Sequence, residues 1–195
     1  VVLRFRQEVW NLRSYRAFRR IHQAFEGGCA RFGFRLVEFS IQGNHIHLIA
    51  EAENRRSLSR AMQGLAVRIA RRLNGMMKRK GPVFRDRYFA RTLRTPLAVR
   101  RALHYVLNNR RRHAYQEGKR LPERWVDPFS SGVHFDGWCL PLRAGLLARC
   151  DPRAGPGAST GTAQPRTQLL ATAWRLLGPL DPAFIPGPRA CIQTR

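Results

Sequence analysis

The stretch FRLVEFSIQGNHIHLIAE, residues 34–51, decides the fold. Residues 34–41 are rich in β-branched and aromatic side chains and read as a strand. Gln42, Gly43 and Asn44 read as a tight turn, because glycine and asparagine tolerate turn backbone. Residues 45–51 then read as the return strand, and the two make an antiparallel hairpin. On a strand, residues i and i+2 share a face. His45 and His47 therefore project together, and Ile46 and Leu48 face the opposite, packed side.

Outward from the hairpin, an N-terminal strand is expected over residues 1–6, with Leu3 and Phe5 on one face. Ser14 suits an N-cap for a helix to about Glu26, and Gly27-Gly28 stops it. After the hairpin, Leu58, Met62, Leu65, Ile69, Leu73 and Met76 recur at helical spacing, with Ser57 as the expected cap. Gly81-Pro82 breaks that helix. Residues 88–94 read as a strand. Thr95 then caps a helix that has Pro96 at its first position and runs to about Arg112.

The order is β, α, β, β, α, β, α. Its first six elements match a split βαβ pattern: an α+β, ferredoxin-like (RRM-like) antiparallel sheet covered by helices, with an extra C-terminal helix and a loop-rich tail. Three regions are expected: a domain over residues 1–118, an extension over 119–148, and a flexible linker with a Pro-rich tail over 149–195. Apolar patches at 138–147 and 169–177 are candidates for docking on the core, the second as a short helix. The chain starts at Val1, inside a strand and without Met, so residues upstream are expected.

The chain of 195 residues carries 36 Lys+Arg against 12 Asp+Glu, a formal net charge of +24. Residues 1–120 hold 28 of those bases and 7 of the acids; residues 121–195 hold 8 and 5. A one-signed field of that size points to a polyanion. Arginine outnumbers lysine 33 to 3, and its fork matches phosphate oxygens and stacks on bases, which favours nucleic acid. No apolar run is long enough for a membrane span, and no secretory signal opens the chain. Cys29, Cys139, Cys150 and Cys191 form no CxxC pair. Reduced thiols in a cytoplasmic protein are the expectation.

Three positions carry candidate chemistry. Two same-face imidazoles can converge on one metal ion, although two hydrogen-bonded histidines on a half-exposed strand fit the same pattern. On the helix from Pro96, residues Val99, Ala102, Leu103, Val106 and Leu107 form the apolar arc, and Tyr105 falls outside it. Asn109 follows one turn later, with Arg101 and Arg112 flanking. A phenol among guanidinium charges suits a nucleophile; a boundary tyrosine beside solvated arginines is the structural alternative. The carboxamide oxygen of Asn109 is a hard ligand that could complete a divalent-cation site.

The stretches QGNHIHLIAEA, SLSRAMQGLAVRIARRLN and RKGPVFRDRYFARTLRTPLAVRRALHYVLNNRRRHA together resemble the single-tyrosine transposases among HUH nucleases, the IS200-like transposases, with the REP-associated tyrosine transposases as the nearest branch. His45-Ile46-His47 matches the family's His-hydrophobic-His motif, and Tyr105 with Asn109 matches its Tyr-x-x-x-Asn context. The chain departs from the pattern at Asn109-Arg110, where many members carry Asn-Pro. The resemblance covers residues 1–114. It implies a metal-dependent DNA transposase and endonuclease that cleaves and rejoins single-stranded DNA through a 5′-phosphotyrosine. Mg²⁺ or Mn²⁺ would be held by His45, His47 and Asn109, and Tyr105 would be the catalytic nucleophile. Arg85, Arg87, Arg101 and Arg112 are candidate DNA contacts, a hairpin-forming strand is a candidate substrate, and a monomer or homodimer is the expected state. The competing reading is a non-catalytic single-stranded DNA- or RNA-binding protein descended from a decayed transposase.

Overall fold

The structure, a computed structural model, describes residues 1–31, 33–139 and 160–187. Among these are β1 (Val2–Arg4), α1 (Tyr15–Glu26), β2 (Ala30–Arg31), β3 (Phe34–Ile41), β4 (His45–Ala52), α2 (Arg55–Met77), α3 (Pro96–Leu107), α4 (Asn109–Gln116) and α5 (Gln168–Ala171). Short 3₁₀ turns cover Ser131–His134 and Ala173–Leu177. The chain divides into two compact units. Of the described residues, 1–31, 33–37, 41–90 and 160–165 belong to the first, and 38–40, 91–139 and 166–187 to the second.

The first unit is built on an antiparallel sheet of order β1-β4-β3-β2, and the α+β, ferredoxin-like class holds. β1 pairs with β4 so that Leu3 faces Ile46 and Arg4 faces His45. Leu3, Ile46 and Leu48 are buried, as alternation requires for a face covered by helices. α1 begins where expected: the Ser14 hydroxyl accepts from the Ala17 N–H. α1 and α2 pack on each other, and Ile21, Phe25, Leu65 and Ile69 of these helices are buried.

Two expectations in this unit are corrected. α2 is capped by Asn54 rather than Ser57; the Asn54 Oδ1 accepts from the Ser57 N–H at 2.9 Å. Serine and asparagine are equivalent caps, so the one earlier in the chain starts the helix. The strand expected over residues 88–94 does not form. Its place beside β1 is taken by an irregular segment, with isolated bridges from Phe84 to Phe5 and from Phe89 to Val2. The Arg6 N–H donates to the Val83 carbonyl and the Val2 N–H to the Phe89 carbonyl, at 3.0 and 2.8 Å. Between these pairs the register slips, and the charged residues 86–87 bulge out of the ladder.

In the second unit, Thr95 caps α3 and Pro96 opens it, as expected. The helix does not run on to Arg112. It breaks at Asn108, whose side-chain amide donates to the Asp181 carbonyl at 3.0 Å, and α4 starts at Asn109 without a side-chain cap. The Arg111 guanidinium is buried and donates to the carbonyls of Leu121, Pro122, Glu123 and Trp125, tying the next loop to α4. Phe135, Trp138 and Trp174 form an aromatic cluster, with Phe135 centroids 5.2 and 5.7 Å from the two indoles. Gly137 leaves the room this needs, since a Cβ there would run into Trp174 and Phe135.

Of the stretch expected as a linker, residues 160–165 are described, within the first unit. The Ala163 N–H donates to the Leu36 carbonyl, and Arg35 donates to the Gln164 carbonyl. The expected short helix over residues 169–177 is α5 followed by the second 3₁₀ turn. Most of the 138–147 patch, residues 149–159, Cys150 and Cys191 lie outside the described residues. Cys29 and Cys139 are free thiols. Among the described residues no helix is long and apolar enough to cross a membrane.

Candidate active site

The histidine strand is set by its turn. The carbonyls of Gly43 and Asn44 accept from the N–H groups of Leu12 and Phe5, each at 2.9 Å, and the Gln42 N–H donates to the His45 carbonyl at 2.8 Å. Three backbone bonds thus pin the entry into β4. His45 and His47 share a sheet face, their rings perpendicular and 4.8 Å apart between centroids. His47 is buried and His45 half-buried. The Asn44 Oδ1 lies 2.9 Å from His45 Nδ1. A carboxamide oxygen only accepts, so this contact favours a proton on Nδ1, and with the proton there Nε2 is the ring atom able to ligate a metal.

Tyr105 sits differently from the helical-wheel expectation. It is 8% exposed and lies in an unbroken buried run, residues 103–107. Five consecutive buried residues exceed one helix face, so α3 is enclosed on several sides. Part of the enclosure is the segment after the second 3₁₀ turn. Arg100 donates to the carbonyls of Gly178 and Pro179, and His104 stacks on Phe184 with centroids 4.6 Å apart. The Arg112 guanidinium lies over the Tyr105 ring, 5.7 Å from its centroid, a cation–π distance. Asn109 is fully buried, and neither its Oδ1 nor its Nδ2 has a hydrogen-bond partner among the described residues. A buried carboxamide with both ends unsatisfied is rare and costly.

The remaining arginines are dispersed. Arg85 and Arg87 are exposed on the bulged segment, and Arg85 stands 3.6 Å from Asp86 in a surface ion pair. Arg101 is exposed on α3. Among the described residues no group of three or more His, Cys, Asp and Glu converges on one point.

Two titratable groups of the second unit escaped the sequence reading. Burial pushes the Glu38 carboxyl up to about 7, against a lowering hydrogen bond from the Ser131 hydroxyl; Asp136 adds to the rise and Arg175 opposes it. Burial pushes the His104 imidazole down to about 4, helped by Arg100 and opposed by Asp181. Neither position has a motif. The signal available was a charge inside an apolar strand and a histidine next to the tyrosine.

No curated protein and no solved structure matched the chain. The model of the IS200-like transposase family matches residues 1–109, more than half of the sequence and inclusive of His45, His47, Tyr105 and Asn109, and the chain belongs to that family of DNA transposases.

Proposed function

We propose that the protein cleaves and rejoins single-stranded DNA through a 5′-phosphotyrosine formed on Tyr105, with a divalent cation held by His45, His47 and Asn109. The observation that carries this reading is the pair of imidazoles on one strand face, one of them with its Nδ1 against the Asn44 carboxamide oxygen. The carboxamide of Asn109, unsatisfied among the described residues, supports it, since a hard cation would take the lone pair that no described donor uses. His45, His47 and Asn109 would hold Mg²⁺ or Mn²⁺, which would supply Lewis-acid polarisation of a phosphoryl oxygen.

The rest belongs to the chain. The Tyr105 phenol gives up its proton and its Oη attacks phosphorus in line. The bond from phosphorus to the 3′ oxygen breaks, that oxygen leaves as a 3′-hydroxyl after taking a proton, and the 5′-phosphate stays on the tyrosine. Attack by a 3′-hydroxyl on the phosphotyrosine restores a phosphodiester and frees the phenol. The bond energy is stored in the ester, so no nucleotide hydrolysis is needed. Arg112 beside the ring and the exposed Arg85, Arg87 and Arg101 supply positive charge for phosphates.

The test is incubation with an end-labelled single-stranded hairpin oligonucleotide and Mn²⁺, followed by a denaturing gel. A protein–DNA adduct that disappears in EDTA is expected, with much slower formation on the same sequence in a perfect duplex. DNA binding without any adduct would mark a binding protein that no longer cuts. Equal rates on single strand and duplex would mark a different nuclease class.

A further inference from the structure

Most arginines of α2 need no special account. Arg60 and Arg71 stand exposed, where water solvates them, and the exposed Arg72 donates to the Gln23 Oε1 of α1 at 3.1 Å. Arg68 is different. Its side chain is half-buried against α1, and its Nε is buried with no hydrogen-bond partner. Its guanidinium occupies a niche lined by glycines. A Cβ on Gly28 would run into Nη2 and stand 2.8 Å from Cζ, and Cβ atoms on Gly64 and Gly27 would touch Nη2 and Cδ at 3.8 and 3.9 Å. Any other residue at position 28 would expel this guanidinium from the niche.

The charge held there is unbalanced. Burial and the neighbouring positive charge of Arg31 both act against Arg68, and no carboxylate offsets them. Neither arginine side chain makes a hydrogen bond or ion pair among the described residues. The C-terminal end of α1, capped at Gly27, offers the partial negative charge of a helix terminus but accepts no bond from Nε. Two like charges, one partly desolvated, lack the compensating partner that such groups need. A phosphate dianion would neutralise the pair and a DNA phosphodiester would offset one of its two charges, and either accepts hydrogen bonds from guanidinium forks. Arg31 lies on β2, the last strand in the order β1-β4-β3-β2, so the niche is at the sheet edge, two strands from the histidines of β4.

We propose that Arg31 and Arg68, seated by Gly28, form a phosphate-binding niche that grips the DNA backbone away from the nucleotide being processed. The proposal rests on the DNA binding that family membership implies, and it is independent of the tyrosine chemistry.

The experiment uses the full chain and a fluorescent single-stranded hairpin oligonucleotide in EDTA, where no metal-assisted cleavage intervenes. Arg31→Gln and Arg68→Gln are each expected to weaken binding several-fold and to lower the log–log salt slope by about 0.7 to 0.9, the value for one phosphate contact. Gly28→Ala keeps the charge and displaces the guanidinium, and is expected to weaken binding as Arg68→Gln does. Arg71→Gln removes an equal charge from the same helix and is expected to cost less than half as much. If Arg71→Gln matches Arg68→Gln, or Gly28→Ala binds like the parent, diffuse charge explains the binding and the niche is refuted. NMR of the arginine Nε–H groups in the unaltered protein needs no variant to fold. A saturable Arg68 shift with inorganic phosphate supports a site open to free oxyanion. A shift with DNA alone supports a backbone contact. No shift with either overturns the proposal. Loss of the covalent adduct with this binding pattern intact would reject the tyrosine mechanism and leave the niche standing.

Discussion

The Arg112 guanidinium lies over the Tyr105 ring, its Cζ 5.7 Å from the ring centroid, although the helix that was expected to carry both breaks at Asn108 between them. The contact depends on the aromatic face and not on the hydroxyl. Tyr105→Phe should therefore keep it, and should cost no more than about 1.5 kcal/mol, the net worth of one hydrogen bond. The covalent adduct should disappear while DNA affinity stays within twofold. A denaturing gel and a thermal melt check both halves. If the phenylalanine variant still forms the adduct, the nucleophile is another tyrosine, and the half-buried Tyr88 and exposed Tyr115 are the next to substitute.

Asn109 separates a ligand from a structural residue by the sign of its effect on stability. Its buried carboxamide has no hydrogen-bond partner among the described residues. Removing an unsatisfied buried polar group is neutral or stabilising. Asn109→Ala should melt at or slightly above the parent temperature in EDTA, less the small loss from one missing carboxamide's packing. It should also lose cleavage and lose the rise in melting temperature that Mn²⁺ gives the parent. A fall of more than about 2 kcal/mol in EDTA would show that the carboxamide holds the fold, and the ligand assignment would fail.

What was legible in the sequence follows a physical division. His45 and His47 share a face because a strand has period two, and this needs no tertiary information. α2 could be read from its spacing, and Ser14 and Thr95 from local capping chemistry. The misread elements depend on distant partners. Residues 88–94 look like a strand, but the ladder beside β1 is made by Phe84 and Phe89 around a bulge. α3 ends at Asn108, whose side-chain amide donates to the Asp181 carbonyl far along the chain, a partner that local spacing does not reveal. Tyr105 reads as an edge residue on a wheel because the wheel assumes one buried face, whereas α3 is enclosed by a later segment. Family membership, carried by ordered motifs, was likewise legible; the glycine niche for Arg68 was not, because it exists only once α1 and α2 pack.

Glu38 and His104 make opposite contributions to pH dependence in one window. The Glu38 carboxyl has its folded pKa raised from 4.5 to about 7. Its contribution to stability is complete below pH 4.5 and is lost as the pH rises to 7. The His104 imidazole has its folded pKa lowered from 6.5 to about 4. It costs nothing above pH 6.5 and destabilises as the pH falls towards 4. Glu38→Gln keeps an acceptor for the Ser131 hydroxyl and removes the ionisation. It should gain up to about 3 kcal/mol over the parent above pH 7 and nothing at pH 4.5. Melting curves across pH 4.5–8 decide this; a gain at low pH instead of high would reverse the assignment.

The segment after residue 160 bears on the tyrosine helix through packing and not through charge. Trp174 is 1% exposed, stacks on Phe135, and donates its indole N–H to the Leu170 carbonyl at 2.9 Å. The second 3₁₀ turn that carries it packs against α3, and the Arg100 and Asn108 side chains reach the carbonyls just beyond it. Yet residues 121–195 hold only 8 of the 36 basic residues, nearly balanced by 5 acids. Trp174→Ala should therefore destabilise by about 3–5 kcal/mol, the usual result of emptying a buried tryptophan site. Because α3 carries Tyr105, adduct formation should slow as the variant warms towards its lowered melting point, well before DNA binding fails. The salt slope of binding should not change, since phosphate contacts set that slope and none is removed. Deleting residues 149–195 should show the same separation more strongly. A slope that falls by several contacts on deletion would mean that this segment grips DNA itself, and its role as a purely structural brace for α3 would have to be abandoned.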